Sequence, residues 1–197
     1  MGALNFFWNA DSVDLHDKYK IFMAVPLNLL LWGCESWAIT KKLLKKLEVF
    51  QMRCLRRILK IRWDDIREER ITNKLVRLNV FDIINIEIQI AKRRLHFVGR
   101  IVRMSDDKVP ARLISAWIKK TRPIGRPNLS INHSILNDIK KIIPTVDDDG
   151  DFNSWAHVAL EKLTWSMLVN SLGYDNNFEY REWNDEFRKN YNPPPIT

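Results

Sequence analysis

The chain has 197 residues, 46% of them apolar and 28% charged, with a net charge of +8 and only 6 glycines. That length holds one domain with a true core, alone or with appended helices, and the scarcity of glycine disfavours an all-β fold built on tight turns. The positive charge is concentrated: Lys41–Arg126 carries 24 Lys and Arg against 9 Asp and Glu, a net of +15, which leaves −7 on the flanks.

A basic middle between acidic ends suits a polyanionic partner; solvated basic helix faces are the plainer alternative. The two cysteines, Cys34 and Cys54, follow apolar patterns and read as buried small hydrophobes in a reducing compartment, not as a disulfide framework. The longest apolar stretch, Ile21 to Trp32, falls short of the roughly 20 residues that a bilayer demands. Met1 to Ala10 contains no Lys or Arg, so no signal peptide is expected. An intracellular location, nuclear or cytoplasmic, follows as the expectation.

In chain order, residues 1–11 read as an uncapped aromatic lead. Ser12 is placed to cap a helix from about Val13 to Trp32, bent near Pro26 and ended by Gly33. Thr40 caps the next helix, expected to reach about Ile61. Leu44, Leu47, Cys54, Leu55 and Ile58 fall on one of its faces, and Lys42, Lys46, Arg53, Arg57 and Lys60 on another. A shorter helix fits Asp65 to Leu75. Asn79 to Asp82 then breaks the pattern, with Asp82 as the expected cap of the following helix.

The segment from about Ile83 to Met104 has the clearest periodicity. Ile84, Ile88, Ala91, Leu95, Val98 and Val102 recur at steps of four and three, while Lys92, Arg93, His96, Arg100 and Arg103 form a basic stripe opposite. This helix is expected to cross the middle of the core. Val109 to Ile118 reads as a helix, Lys119 to Pro127 as a basic loop containing Arg122 and Arg126, and Leu129 to Ile143 as a helix stopped by Pro144. An acidic turn over 147–151 precedes a last helix, capped by Asn153 or Ser154 and running to Leu172. Residues 175–197, ending in three prolines, read as a loosely ordered tail. The fold class expected is therefore all-α: a compact bundle of about six to seven helices with a flexible C-terminal tail. Its divisions are 1–35, an N-terminal helix; 36–174, a basic helical domain; and 175–197.

No catalytic centre is legible. Trp63-Asp64-Asp65 has the paired aspartates of a polymerase metal site, but it lies between helical patterns rather than on a strand hairpin, where Asp serves to start a helix. Asp147 to Asp151 lacks the ligand spacing of a calcium loop. His16, His96, His133 and His157 show no zinc spacing with the cysteines, and there is no glycine-rich phosphate loop. No metal or cofactor is expected. Pro123-Ile124-Gly125-Arg126-Pro127 is similar to a minor-groove hook with isoleucine where an arginine is wanted; a helix-initiating turn is the alternative.

Several strings, taken in order, carry a resemblance. Leu31-Trp32-Gly33-Cys34-Glu35-Ser36-Trp37 is similar to a Tyr-Gly-x-Glu-x-Trp element. A helix containing Arg53, Cys54, Leu55, Arg56, Arg57 and Ile58 follows and ends Ile61-Arg62-Trp63. Then come Arg93-Arg94-Leu95-His96-Phe97-Val98-Gly99-Arg100, Val109-Pro110 and Gly125-Arg126-Pro127. Last, Ala159-x-Glu161-Lys162-x-x-Trp165 is similar to an Ala-x-Asp-Arg-x-x-Trp ending. The ordered set resembles the region after the polymerase core in non-LTR (LINE-type) retrotransposon reverse transcriptases, and covers about Leu29 to Trp165. The chain departs from that pattern at Arg100, where the family has histidine, and at Ile131, where tryptophan is usual.

The resemblance implies a thumb-like and post-polymerase piece of an RNA-directed DNA polymerase whose catalytic Tyr/Phe-x-Asp-Asp segment lies upstream, so that this chain is inactive alone. Its partners would be that polymerase core and a template–primer duplex or RNA–DNA hybrid held without regard to sequence. Helical phase and the basic loop nominate Lys42, Lys46, Arg53, Arg56, Arg57, Lys60, Lys92, Arg93, Arg100, Arg103, Arg122 and Arg126 as the nucleic-acid contacts. A helical protein-interaction module and a decayed transposon-derived reading frame are the alternatives.

Overall fold

A computed structural model describes residues 2–68, 71–73, 76–77, 84–118, 131–146 and 152–173. Among these residues every regular element is helical, in agreement with the all-α expectation. None of the described helices is long and apolar enough to cross a membrane. The basic loop with Arg122 and Arg126, the acidic turn over 147–151, the Asp82 cap and the tail lie outside the described residues.

The chain folds into two compact units that alternate along the sequence. One draws on Met1–Leu30 and Val49–Ile84, the other on Leu31–Glu48 and Asn85–Gly173.

In the first unit the uncapped aromatic lead is largely helical. A 3-10 turn, Gly2–Leu4, runs into α1 (Asn5–Asn9), and Trp8 is fully buried. Burying an indole removes on the order of 200 Å² of surface from water, which orders a short segment that has no cap of its own. The next helix, α2 (Leu15–Phe22), is capped by Asp14, whose side chain accepts from the His16 N–H; Ser12 does not fill that role. Around Pro26 the helix widens into a π-turn, Met23–Leu27, before α3 (Asn28–Leu30). The wider turn lies where the sequence predicts a bend and accommodates the missing proline donor.

The next helix, α4 (Lys41–Ile58), starts as expected, with the Leu43 N–H donating to Thr40 Oγ1 at 3.2 Å. It ends three residues early, in a Schellman closure. Ile61 N–H donates to Arg56 O at 2.9 Å and Lys60 N–H to Arg57 O at 3.2 Å, with Lys60 in the left-handed region at φ 56°. A lysine there is strained by its Cβ, and its ion pair with Asp11 is largely exposed. Lys60→Gly is therefore expected to stabilise the protein by about 0.5–1 kcal/mol, the relief being trimmed by the freer unfolded chain. A thermal melt checks this: an unchanged or lower Tm would show that Lys60 is unstrained or that the Asp11 pair matters more. Short α5 (Trp63–Glu68) opens with Asp65 accepting from the Arg62 N–H at 2.6 Å, the start-of-helix role read for this aspartate pair.

The second unit is organised by α6 (Ile86–Val102), as its periodicity predicts. It starts three residues later than expected because Asn85 provides the cap, accepting from the Glu87 N–H at 3.3 Å. Packed against it are the 3-10 turn Cys34–Ser36, α7 (Val109–Ile118), α8 (Ile131–Ile142), α9 (Phe152–Leu160) and α10 (Lys162–Ser171). The core they enclose includes Leu95, Val98, Ile135, Ile139, Trp155, Trp165 and Val169. Gly33, with φ 69°, makes the left-handed turn that leads into Cys34–Ser36. Cys34 and Cys54 are both buried free thiols, and burial pushes the pKa of each up.

The last expected helix is in fact two. The backbone is extended at Glu161, so α9 and α10 meet at an angle rather than running on. Ten residues of straight helix would hold Trp155 and Trp165 about 15 Å apart along its axis. The break instead brings their rings to 6.1 Å, both fully buried. Trp165 then settles on Gly99. Its indole N–H donates to Leu95 O at 3.0 Å across the surface of α6, through a space where a Cβ on residue 99 would lie 2.3 Å from Nε1.

Candidate nucleic-acid interface

The nominated cations fall into groups with different surroundings. In the second unit, Lys42 and Lys46 are exposed on the first turns of α4, alongside Lys41 and Lys45. Of the nominated cations along α6, only Arg100 is exposed. Lys92 donates to Asn170 O at 2.8 Å, Arg103 to Ala159 O at 2.6 Å, and Arg93 makes a longer contact to Leu31 O at 3.5 Å. Asn170 and Ala159 lie at the carboxyl ends of α10 and α9. Lys92 and Arg103 thus sit where a helix presents unpaired carbonyls and a partial negative charge. The basic stripe read from helical phase exists as a face, but two of its members close the ends of neighbouring helices.

Within the stripe, His96 is half-buried. Burial and the nearby Arg100, Lys92 and Arg103 charges hold its pKa below the usual histidine value, against an opposing hydrogen bond with Asn170. The imidazole therefore contributes less charge to this face than an ordinary histidine would. Burial alone lowers the Lys92 pKa as well.

One basic residue on α6 belongs to neither the apolar nor the basic set read from sequence. Arg94 is 5% exposed, pairs with Asp138 on α8, and donates to Trp37 O at 3.2 Å. Lys141 extends the cluster, reaching Asp138 at 3.2 Å and Glu87 at 3.3 Å. Local periodicity cannot reveal this pair, because the aspartate lies 44 residues away in sequence.

In the first unit, Arg53, Arg56 and Arg57 line a cleft of about 290 Å³ together with Val49, Ile61, Trp63 and Ile66. Arg56 donates to the Asn73 side chain and Arg57 to the Asn5 side chain. Both acceptors are neutral amides, so the guanidinium groups are oriented without being neutralised. Lys60 differs, since its partner is the carboxylate of Asp11, whose pKa that contact lowers. Trp63, read from sequence as the residue ahead of a helix-starting pair and as the end of the Ile61-Arg62-Trp63 string, is 74% exposed at the cleft edge. An aromatic residue standing just after the basic helix α4 was the signal available for it.

Among the described residues no group of three or more His, Cys, Asp or Glu side chains could hold a metal ion. The remaining nominations, Arg122 and Arg126, lie outside the described residues. Compared with protein-family models, with curated proteins and with solved structures, the chain matches none of them.

Proposed function

We propose that this chain is a non-catalytic, nucleic-acid-holding piece of a non-LTR retrotransposon reverse transcriptase that works inside the cell, in nucleus or cytoplasm. It would grip the template–primer duplex, or an RNA–DNA hybrid, on behalf of a polymerase core. The observation that carries the proposal is where the family-like strings come together. The 31–37 string supplies the carbonyl that receives Arg94, and the 159–165 string supplies the tryptophan that fills the space above Gly99. Both Arg94 and Gly99 belong to the 93–100 string. Residues noted for their order in sequence thus make specific contacts in one packed unit. The concentrated charge supports the same function, because each cation placed on a phosphate releases condensed counterions.

The test is a salt series of binding to a duplex of arbitrary sequence. If four phosphates are contacted, log K should fall against log salt with a slope of about −3 to −4. Replacing Lys92, Arg93, Arg100 and Arg103 by alanine should flatten that slope and weaken all sequences alike. Circular dichroism must show the variant folded, since Lys92 and Arg103 also close helix ends. A folded variant that binds like the parent would move the duplex to the lysines opening α4 or the Arg53–Arg57 face. Absent or salt-insensitive binding by the parent would favour the protein-interaction or decayed-frame alternatives.

A further inference from the structure

The cleft in the first unit has a composition that gripping a duplex backbone does not require. Its walls are largely apolar: Val49, Ile61 and Ile66 contribute, and Val49 is 48% exposed. At its edge stands an indole with 74% of its surface in water. Exposed single hydrophobes are common on proteins; a large aromatic set beside three arginines is a more specific arrangement.

Charge is distributed unevenly around the cleft. The α4 wall carries Arg53, Arg56 and Arg57, two of them oriented by asparagine side chains, with no carboxylate paired to any of the three among the described residues. The α5 wall contributes Trp63 and Ile66 and no charged side chain to the lining. An anionic group is therefore favoured on the α4 side, where all the charged lining residues stand. A flat apolar group is favoured against the indole. A nucleotide unit of a single strand has this polarity: a phosphate at one end and a base with an exposed π-face at the other. A paired base in a duplex does not, because its faces are covered by its neighbours in the stack.

We propose that this cleft takes an unpaired nucleotide of a nucleic-acid strand, its base stacked on Trp63 and its phosphate against Arg53 and Arg57. The site rests on the nucleic-acid-holding function proposed above and adds a preference for single-stranded ends that the basic faces alone would not give. Stacking on an aromatic side chain is tolerant of base identity, so the preference is for an unpaired base and not for a sequence.

The experiment compares three ligands of the full chain by fluorescence anisotropy: a blunt duplex, the same duplex with a four-thymidine 3′ extension, and the same duplex with a four-residue abasic extension. The two extensions carry equal charge and differ only in their bases. The parent should bind the thymidine extension about 5- to 100-fold more tightly than the abasic one. Trp63→Ala should bind both alike, with blunt-duplex affinity and salt slope unchanged, and Trp63→Phe should keep most of the preference. Because Trp63 is exposed, its replacement does not threaten the fold. Equal binding of the two extensions by a parent that still holds the blunt duplex would overturn this site and leave the broader function standing. A parent that prefers the thymidine extension yet ignores the blunt duplex would keep the site and overturn the duplex-holding function. A parent that binds none of the three overturns both. A poly-glutamate peptide that binds with the same dependence on Trp63 would assign the cleft to an acidic peptide instead.

Discussion

Gly99→Ala is expected to destabilise the protein by about 2–4 kcal/mol, although the same change in an ordinary helix interior is favourable by nearly 1 kcal/mol. The reason is the close seat of Trp165. An added Cβ would stand 2.3 Å from the indole nitrogen and 2.6 Å from Cδ1, distances that real methyl groups do not tolerate. Trp165 is 1% exposed and packed beside Trp155, so it has little room to retreat. If it moves, its N–H leaves Leu95 O and is stranded in the core. The predicted penalty combines overpacking with that orphaned donor. Urea or thermal unfolding measures it, and a double-mutant cycle tests its origin. Gly99→Ala should cost much less in a Trp165→Phe background, where the smaller ring vacates the contested space. Equal penalties in the two backgrounds would show that the indole is not the obstacle.

Arg94→Met is expected to cost about 3–5 kcal/mol, the range for removing one member of a buried ion pair. Both side chains of the Arg94–Asp138 pair are 6% exposed, so a carboxylate left without its guanidinium has no water to turn to. Lys141 approaches Asp138 from a more exposed position and compensates only in part. Trp37 O loses its donor as well. The companion expectation separates pairing from packing: Arg94→Met combined with Asp138→Leu should be clearly milder than Arg94→Met alone, since no buried charge is then left over. If the double variant is as unstable as the sum of the singles, the cluster is held by shape and not by charge.

Much of the architecture was legible in the sequence because helices announce themselves locally. The three- and four-residue steps from Ile88 to Val102 placed α6 at the centre, and Val109–Ile118 was read with the boundaries it has. What escaped depends on residues far apart. No proline or glycine marks the break at Glu161; the demand that both Trp155 and Trp165 enter one core imposes it. The ordering of the N-terminal lead comes from the burial of Trp8, which no cap foretells. For the candidate site, helical phase distinguished charged faces from apolar ones, but it could not tell a free cation from an anchored one. Arg100 and Lys92 belong to the same stripe, yet only a partner 78 residues downstream of Lys92 reveals the difference between them.

The closure of α9 and α10 by cations from α6 sets up a competition. An ammonium or guanidinium holding a helix-end carbonyl cannot at the same moment clasp a phosphate with the same protons. A polyanion lying along this face would draw Lys92 and Arg103 outward and let the carboxyl turns of α9 and α10 fray. Thermodynamic linkage makes the exchange reciprocal: whatever frays those turns releases the cations and strengthens the hold on the strand. If a strand is held here, grip and local order on this face would be antagonists, and the protein would hold its ligand with a surface slightly less ordered than the one it shows when free.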